Sequence, residues 1–105
     1  MNNKENFYHM RKEGCRGHLM IKCPYCGSVN SYFQRSYTTT HTCRRCKGTS
    51  ELKDLKFCRI ICKCGESYKC LTNIDEPITD GVCERCNAPV TIEWNKKTKS
   101  YRSLL

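Results

Sequence analysis

Two closely spaced cysteine pairs, Cys23/Cys26 and Cys43/Cys46, limit what this chain can fold into more than any other feature. They lie in the stretch KCPYCGSVNSYFQRSYTTTHTCRRCKG, where 16 residues separate Cys26 from Cys43. A Cys-x-x-Cys turn directs two sulfur atoms at one point, and a following Gly permits the positive φ that the turn needs. Two such turns provide the four ligands of a tetrahedral metal site. The pattern therefore predicts a structural metal site in the first half of the chain.

The second half repeats this pattern in a shortened form. The segment CKCGES is similar to CPYCGS, and VCERCNA is similar to TCRRCKG, with 18 residues between Cys64 and Cys83. The repeat predicts a second four-cysteine site. Its predicted ligands are Cys62, Cys64, Cys83 and Cys86. Cys58 and Cys62, which are separated by three residues, are a rival for the first pair.

Three cysteines remain outside the two sets, namely Cys15, Cys58 and Cys70. Together with His18 they could form a third, Cys₃His site. We favour the simpler interpretation, in which they are small buried or half-exposed residues. His9 and His41 have no matching set of partners, and we expect both to be polar surface residues.

The eleven cysteines are odd in number and clustered, which favours reduced thiols over disulfides. The start of the sequence, MNNKENFYHMRKEG, is polar and charged, and no apolar run approaches the length of a membrane span. We therefore expect an intracellular, cytoplasmic protein without a membrane partner. Thiolate-rich tetrahedral sites suit zinc, so the predicted cofactors are two Zn²⁺ ions.

Apolar residues are too few for a conventional core. Leu, Ile, Val and Phe number 18 of 105 residues, a fraction at which a packed core is doubtful. Around the cysteines, HLMIKC, RSYTTTHTC, FCRIIC and PVTIEW contain the β-branched and aromatic residues of strands. The predicted fold is small, metal-stabilised and mainly β, with little conventional hydrophobic core.

The residues from 19 to 94 resemble the zinc-ribbon family, here as two ribbons in tandem. The resemblance implies a polar N-terminal segment (1–18), a first ribbon (19–56), a second ribbon (57–95) and a basic C-terminal tail (96–105) that is mobile at its end. The link GTSELKDLKF has no Gly/Pro-rich spacer, so we expect the two ribbons to pack together.

The formal charge of the chain is +9. Two sites that each combine four thiolates with one divalent ion would lower it to about +5, which is still basic but modest for a protein that binds nucleic acid. Aromatic and basic residues alternate in the first ribbon, as in proteins that bind RNA or single-stranded DNA. The candidate nucleic-acid-binding residues are Tyr32, Phe33, Arg35, Tyr37, Arg44, Arg45 and Lys47.

The second ribbon is acidic between Cys64 and Cys83, which favours a protein partner there. The segment DEPITDGVCERC is similar to the C-terminal zinc ribbon of the transcript-cleavage factors of archaeal and eukaryotic RNA polymerases. In that family an Asp-Glu pair at a hairpin tip enters the polymerase and helps to hold a catalytic Mg²⁺. The resemblance implies that Asp75 and Glu76 act inside the active site of RNA polymerase.

A four-cysteine site leaves no coordination position open for a substrate, and no Ser/His/acid set or phosphate-binding Gly loop is present. We therefore expect a non-enzymatic zinc-binding module that binds nucleic acid, a protein of the transcription machinery, or both. The alternatives are a polymerase accessory factor acting through Asp75 and Glu76, and a redox or metal sensor. A sensor would use Cys15, Cys58 and Cys70, with a thiol pKa lowered by Arg16 or Arg59.

Overall fold

A computed structural model describes residues 10–11 and 14–104, and strands dominate it, as the sequence predicts. The elements in chain order are β1 (Met10–Arg11), β2 (Gly14–Lys22), β3 (Val29–Thr38), β4 (Thr40–Thr42), β5 (Thr49–Glu51), β6 (Lys56–Ile61), β7 (Ser67–Thr72), β8 (Ile78–Val82), β9 (Pro89–Asn95) and β10 (Ser100–Ser103). In the described part of the chain, no helix is long and apolar enough to cross a membrane.

The cysteine-containing turns are the turns of antiparallel hairpins. The hairpins are β2–β3, β4–β5, β6–β7 and β8–β9. Each turn is flanked by a register pair, such as Lys22 opposite Val29 and Val82 opposite Pro89. Each half of the chain therefore consists of two hairpins whose turns a metal ion could join.

One sheet includes strands from both halves. Among the described residues it has eight strands in the order β1-β2-β7-β6-β10-β9-β8, and β3 also pairs with β2. β2 of the first half runs parallel to β7 of the second, with Leu19 beside Leu71. The expectation that the two halves pack together is confirmed, because a shared sheet fixes their relative position.

The two ends of this sheet approach each other. The hydroxyl of Ser31 in β3 donates a hydrogen bond to the carbonyl of Val82 in β8 (2.6 Å). The sulfur of Met20 lies 3.5 Å from the backbone nitrogen of Val82. A Cβ at Gly81 would lie 2.6 Å from the same sulfur. Met20 thus occupies the space between β2 and β8, and the sheet curls around it.

Two small apolar clusters lie on opposite sides of β2 and β7. The larger one contains Met20, Cys58, Ile60, Cys62, Cys70, Ile74, Cys83, Val90, Ile92 and Tyr101. The smaller one contains Cys15, Leu19, Ile21 and Leu71, and is covered by Tyr32, Leu52 and Leu55. Four of the ten residues in the larger cluster are cysteines, so the core is small and depends on sulfur, as the sequence predicts.

Strands extend into two of the segments predicted to flank the ribbons. Within the predicted basic tail, β10 pairs with both β6 and β9 and the side chain of Tyr101 is buried. β2 begins at Gly14, within the segment predicted to be polar and separate from the first ribbon. The domain boundaries themselves stay a prediction.

Candidate metal centres

The first set of four cysteines converges on one point. The sulfur atoms of Cys23, Cys26, Cys43 and Cys46 all lie within 4.8 Å of one another. The Cys23–Cys46 and Cys26–Cys43 sulfur pairs are separated by 3.5 and 3.6 Å. A tetrahedral ion with metal–sulfur distances of about 2.3 Å places its ligands about 3.8 Å apart. This group could therefore hold a tetrahedral metal ion.

The second set has the same arrangement. The sulfur atoms of Cys62, Cys64, Cys83 and Cys86 also lie within 4.8 Å of one another. The Cys62–Cys86 separation is 3.5 Å and the Cys64–Cys83 separation is 3.8 Å. The structure therefore brings together Cys62 and Cys64, as predicted, and does not include the rival Cys58 in this group.

Backbone hydrogen bonds shape the four turns alike. In the first turn the N–H of Gly27 donates to the carbonyl of Cys23 (2.9 Å), and the equivalent donors in the other turns are Lys47, Gly65 and Asn87. These four donors have positive φ angles, 78° at Gly27, 67° at Lys47, 99° at Gly65 and 64° at Asn87. The Cys-x-Cys turn therefore performs the same task as the Cys-x-x-Cys turns with one residue fewer.

Polar groups around the first set favour the thiolate form of two of its cysteines, Cys26 and Cys43, and not of Cys46, whose pKa is raised. The hydroxyl of Ser28 lies 3.3 Å from the sulfur atoms of both Cys26 and Cys43. That hydroxyl and the backbone N–H of Cys46 lower the pKa of the Cys43 thiol to about 5. A thiolate is the form that binds metal. The role of Ser28 was absent from the sequence prediction, although a Ser follows closely after Cys-Gly in both halves.

The remaining cysteines do not form a third centre. Among residues 14–104 only the two groups above could hold a metal in this way. Cys15 is buried in the smaller cluster, and Cys58 and Cys70 are buried opposite each other on β6 and β7. His18 instead contacts Glu84 (2.8 Å). The interpretation of these cysteines as small buried residues is confirmed.

The cysteines outside the two metal centres do not have the lowered thiol pKa of a redox sensor. Burial raises the pKa of Cys15, and the hydrogen bond with Cys58 raises the pKa of Cys70 well above its usual value. Reactive cysteines need a lowered pKa and exposure to solvent. Neither the burial nor the pKa shifts of Cys15 and Cys70 favour the sensor hypothesis.

The prediction that His41 is a surface residue is wrong. Its side chain is buried, stacks on the ring of Tyr32 and shares a 2.9 Å hydrogen bond with the Tyr32 hydroxyl. Burial lowers the pKa of His41 and raises that of Tyr32 to about 12. This contact joins the β4–β5 hairpin to β3 of the main sheet. His9 lies outside the described residues.

The candidate nucleic-acid-binding residues do not share one surface. Tyr32 covers the smaller cluster, and the Arg44 guanidinium lies 5.9 Å from the centre of its ring. Phe33 contacts the ring of His18, and Arg16 lies over Tyr37. Exposed residues of the set are Phe33, Arg35, Arg44, Arg45 and Lys47.

Asp75 and Glu76 do not occupy a hairpin tip. They lie in the link between β7 and β8, two strands that pair with other strands. The Lys22 ammonium lies 3.2 Å from Glu76 and holds the pKa of that carboxyl below its usual range. Lys56 lies 3.8 Å from Asp75, whose side chain is 90% exposed. The predicted projecting acidic hairpin is thus wrong, because the hairpin turns carry the cysteines.

Comparisons with protein-family models, with curated proteins and with solved structures find no match to this chain. The resemblance to zinc ribbons and to transcript-cleavage factors therefore depends on the sequence motifs alone, and the four-cysteine groups are what the structure adds to it.

Substituting Cys58 and Cys64 separately tests the ligand assignment. Titration with Co²⁺, followed by the visible absorption of tetrahedral thiolate sites, should saturate at two ions per chain in the wild type and in C58A. C64S should bind one ion or none, since it lacks one of the four sulfur ligands of the second set. Loss of an ion from C58A with two retained by C64S would show that the assignment is wrong.

Proposed function

We propose that this chain is a non-enzymatic, zinc-stabilised module that binds nucleic acid in a reducing compartment. Zinc is the ion that four thiolates in a tetrahedron suit best. All four coordination positions in each group are taken by sulfur, so the ion would serve folding and not catalysis. The activity of the module would then lie in its surface.

The observation that carries the proposal is a set of exposed cations in the first half of the chain, Arg35, Arg44 and Arg45, none of which forms an ion pair with a carboxylate in residues 14–104. Arg44 and Arg45 lie in the second turn of the first metal centre, and Arg35 lies on β3, six residues beyond Val29 at the turn end of that strand. The lysine and arginine ion pairs found among residues 14–104 involve Lys22, Lys56 and Arg85, and none involves the three arginines of this set. Unpaired surface cations release counterions when they meet phosphates, which drives nucleic-acid binding.

Neither alternative has comparable geometric support. A role in transcript cleavage needs acidic groups that project into another active site, whereas Asp75 and Glu76 lie in the link between β7 and β8, beside Lys56 and Lys22 respectively. A sensor needs accessible thiols, whereas the spare cysteines are buried. RNA polymerase remains a reasonable protein to test as a partner if no oligonucleotide binds.

The test compares two variants that each lose three positive charges. The site variant is R35Q/R44Q/R45Q, and the control is K53Q/K96Q/K97Q, whose lysines are exposed. We expect the site variant to bind a short single-stranded oligonucleotide about tenfold more weakly, while the control stays within about twofold of the wild type. Fluorescence anisotropy measures the affinity, and zinc analysis should give two ions per chain in all three proteins.

Absence of binding by the wild type at low salt would overturn the proposal. Equal losses in the site variant and in the control would reduce it to a nonspecific attraction by net charge.

A further inference from the structure

Three cations form a row across three neighbouring strands. Arg59 on β6 lies directly opposite Lys69 on β7 and directly beside Arg102 on β10. All three are exposed. Adjacent strands are about 4.8 Å apart, so the backbone positions of the row extend over about 10 Å. We call these residues the basic row.

The basic row lies on the side of the sheet that faces away from the larger core. Side chains alternate along a strand, and the neighbours Cys58, Cys70 and Tyr101 point into that core. The opposite side of β7 carries Leu71, which belongs to the smaller cluster under Tyr32, Leu52 and Leu55. The row is therefore on the same side of the sheet as the β4–β5 hairpin and its basic turn.

No carboxylate in residues 14–104 forms an ion pair with the row. Glu93 on β9 lies opposite Arg102, so the basic row does not extend beyond β10. Apolar side chains flank the row: Phe57 (48% exposed) and Ile61 (38% exposed) lie on β6, and Leu104 (40% exposed) follows β10 directly. Such a surface combines cations for phosphates with apolar groups for bases.

We infer that single-stranded RNA binds across this face, with its phosphates on the basic row. The inference deepens the proposed function by assigning the strand to a surface that the sequence did not indicate. Two of the three cations are arginines, whose planar guanidinium groups form paired hydrogen bonds with phosphate oxygens. An acidic protein segment would also form ion pairs with the row. It has no bases, however, to stack on the flanking apolar side chains.

Hydroxyl groups beside the row favour RNA over DNA. Ser67 lies two residues before Lys69, and Ser100 lies two residues before Arg102, so both are on the same side as the row. The 2′-hydroxyl of RNA donates and accepts hydrogen bonds, and serine side chains can do both in return. A flat sheet face also suits an unpaired strand whose bases are open to contact.

The test uses the zinc-loaded full chain and a labelled RNA of about twelve nucleotides. The row variant R59Q/K69Q/R102Q is compared with the control K53Q/K96Q/K97Q and with R35Q/R44Q/R45Q. We expect the row variant to bind about tenfold more weakly or worse, with a salt slope shallower by about two. The control should stay within about twofold of the wild type. Amide chemical shifts in β6, β7 and β10 should change on binding in the wild type.

Each other outcome identifies what fails. If R35Q/R44Q/R45Q loses affinity and the row variant does not, RNA binds elsewhere, and the inference is overturned while the proposed function stands. If the wild type binds no oligonucleotide, both fail. Equal affinity for DNA of the same sequence, or displacement of RNA by an equal charge of polyglutamate, would overturn the assignment to RNA.

Discussion

C43S should lose its folded sheet, and not only one metal ion. Cys43 is fully buried and belongs to the first metal centre. A structural zinc site contributes about 10 kcal/mol or more to folding at neutral pH, whereas a whole small domain is stable by about 5–15 kcal/mol. Because β2 of the first half lies between β3 and β7, the loss should extend to the second half.

The measurement is thermal unfolding followed by circular dichroism, together with metal analysis. We expect C43S to show no cooperative transition, and the wild type to lose its transition when a strong chelator removes the metal. The matched control is C15A, which removes a buried thiol outside both centres and should retain two ions and a cooperative transition. A C43S protein with one ion and an intact sheet would show that the two halves fold independently.

Deletion of residues 96–105 should also unfold the protein, although the sequence alone predicts only a basic tail that is mobile at its end. The deletion removes β10, which lies inside the sheet between β6 and β9. It also removes Tyr101, whose ring packs edge-on against Trp94 and whose hydroxyl donates to the carbonyl of Glu76 (2.7 Å). Truncating a buried aromatic residue alone costs about 3–5 kcal/mol, and the lost strand pairing adds to this.

Two control variants test whether the loss of stability comes from the strand itself. One removes only the charges of the segment and the other removes only one hydrogen bond. K96Q/K97Q alters exposed lysines and should change the free energy of unfolding by about 0.5 kcal/mol or less. Y101F keeps the ring and should cost about 1 kcal/mol. Denaturant unfolding measures both. A deleted chain with the same midpoint as the wild type would mean that β10 contributes nothing to stability.

The metal centres were predictable because their information is local. The spacing of Cys23 and Cys26, and the Gly that follows them, determines a turn that directs two sulfur atoms at one point. The repeat of this pattern then selects the partners, including Cys64 over Cys58. The mainly β fold follows in the same way, since hairpins are the elements that such turns connect.

Other features depend on which distant strands become neighbours. Nothing in the sequence predicts that Arg59, Lys69 and Arg102 are neighbours. They are aligned only because β6 pairs with β7 and with β10. The resemblance to transcript-cleavage factors implies a hairpin tip at Asp75, but the strands on either side, β7 and β8, pair with other strands instead.

The sequence by itself determined the two four-cysteine groups and the β class, since turn geometry and ligand chemistry act over a few residues. The tertiary structure alone decided the shared sheet, the burial of Tyr101 and His41 and the alignment of the basic row. The physical reason is that strand pairing depends on backbone hydrogen bonds that any residue except proline can make. The choice of partner is therefore set by how the whole chain buries its few apolar side chains.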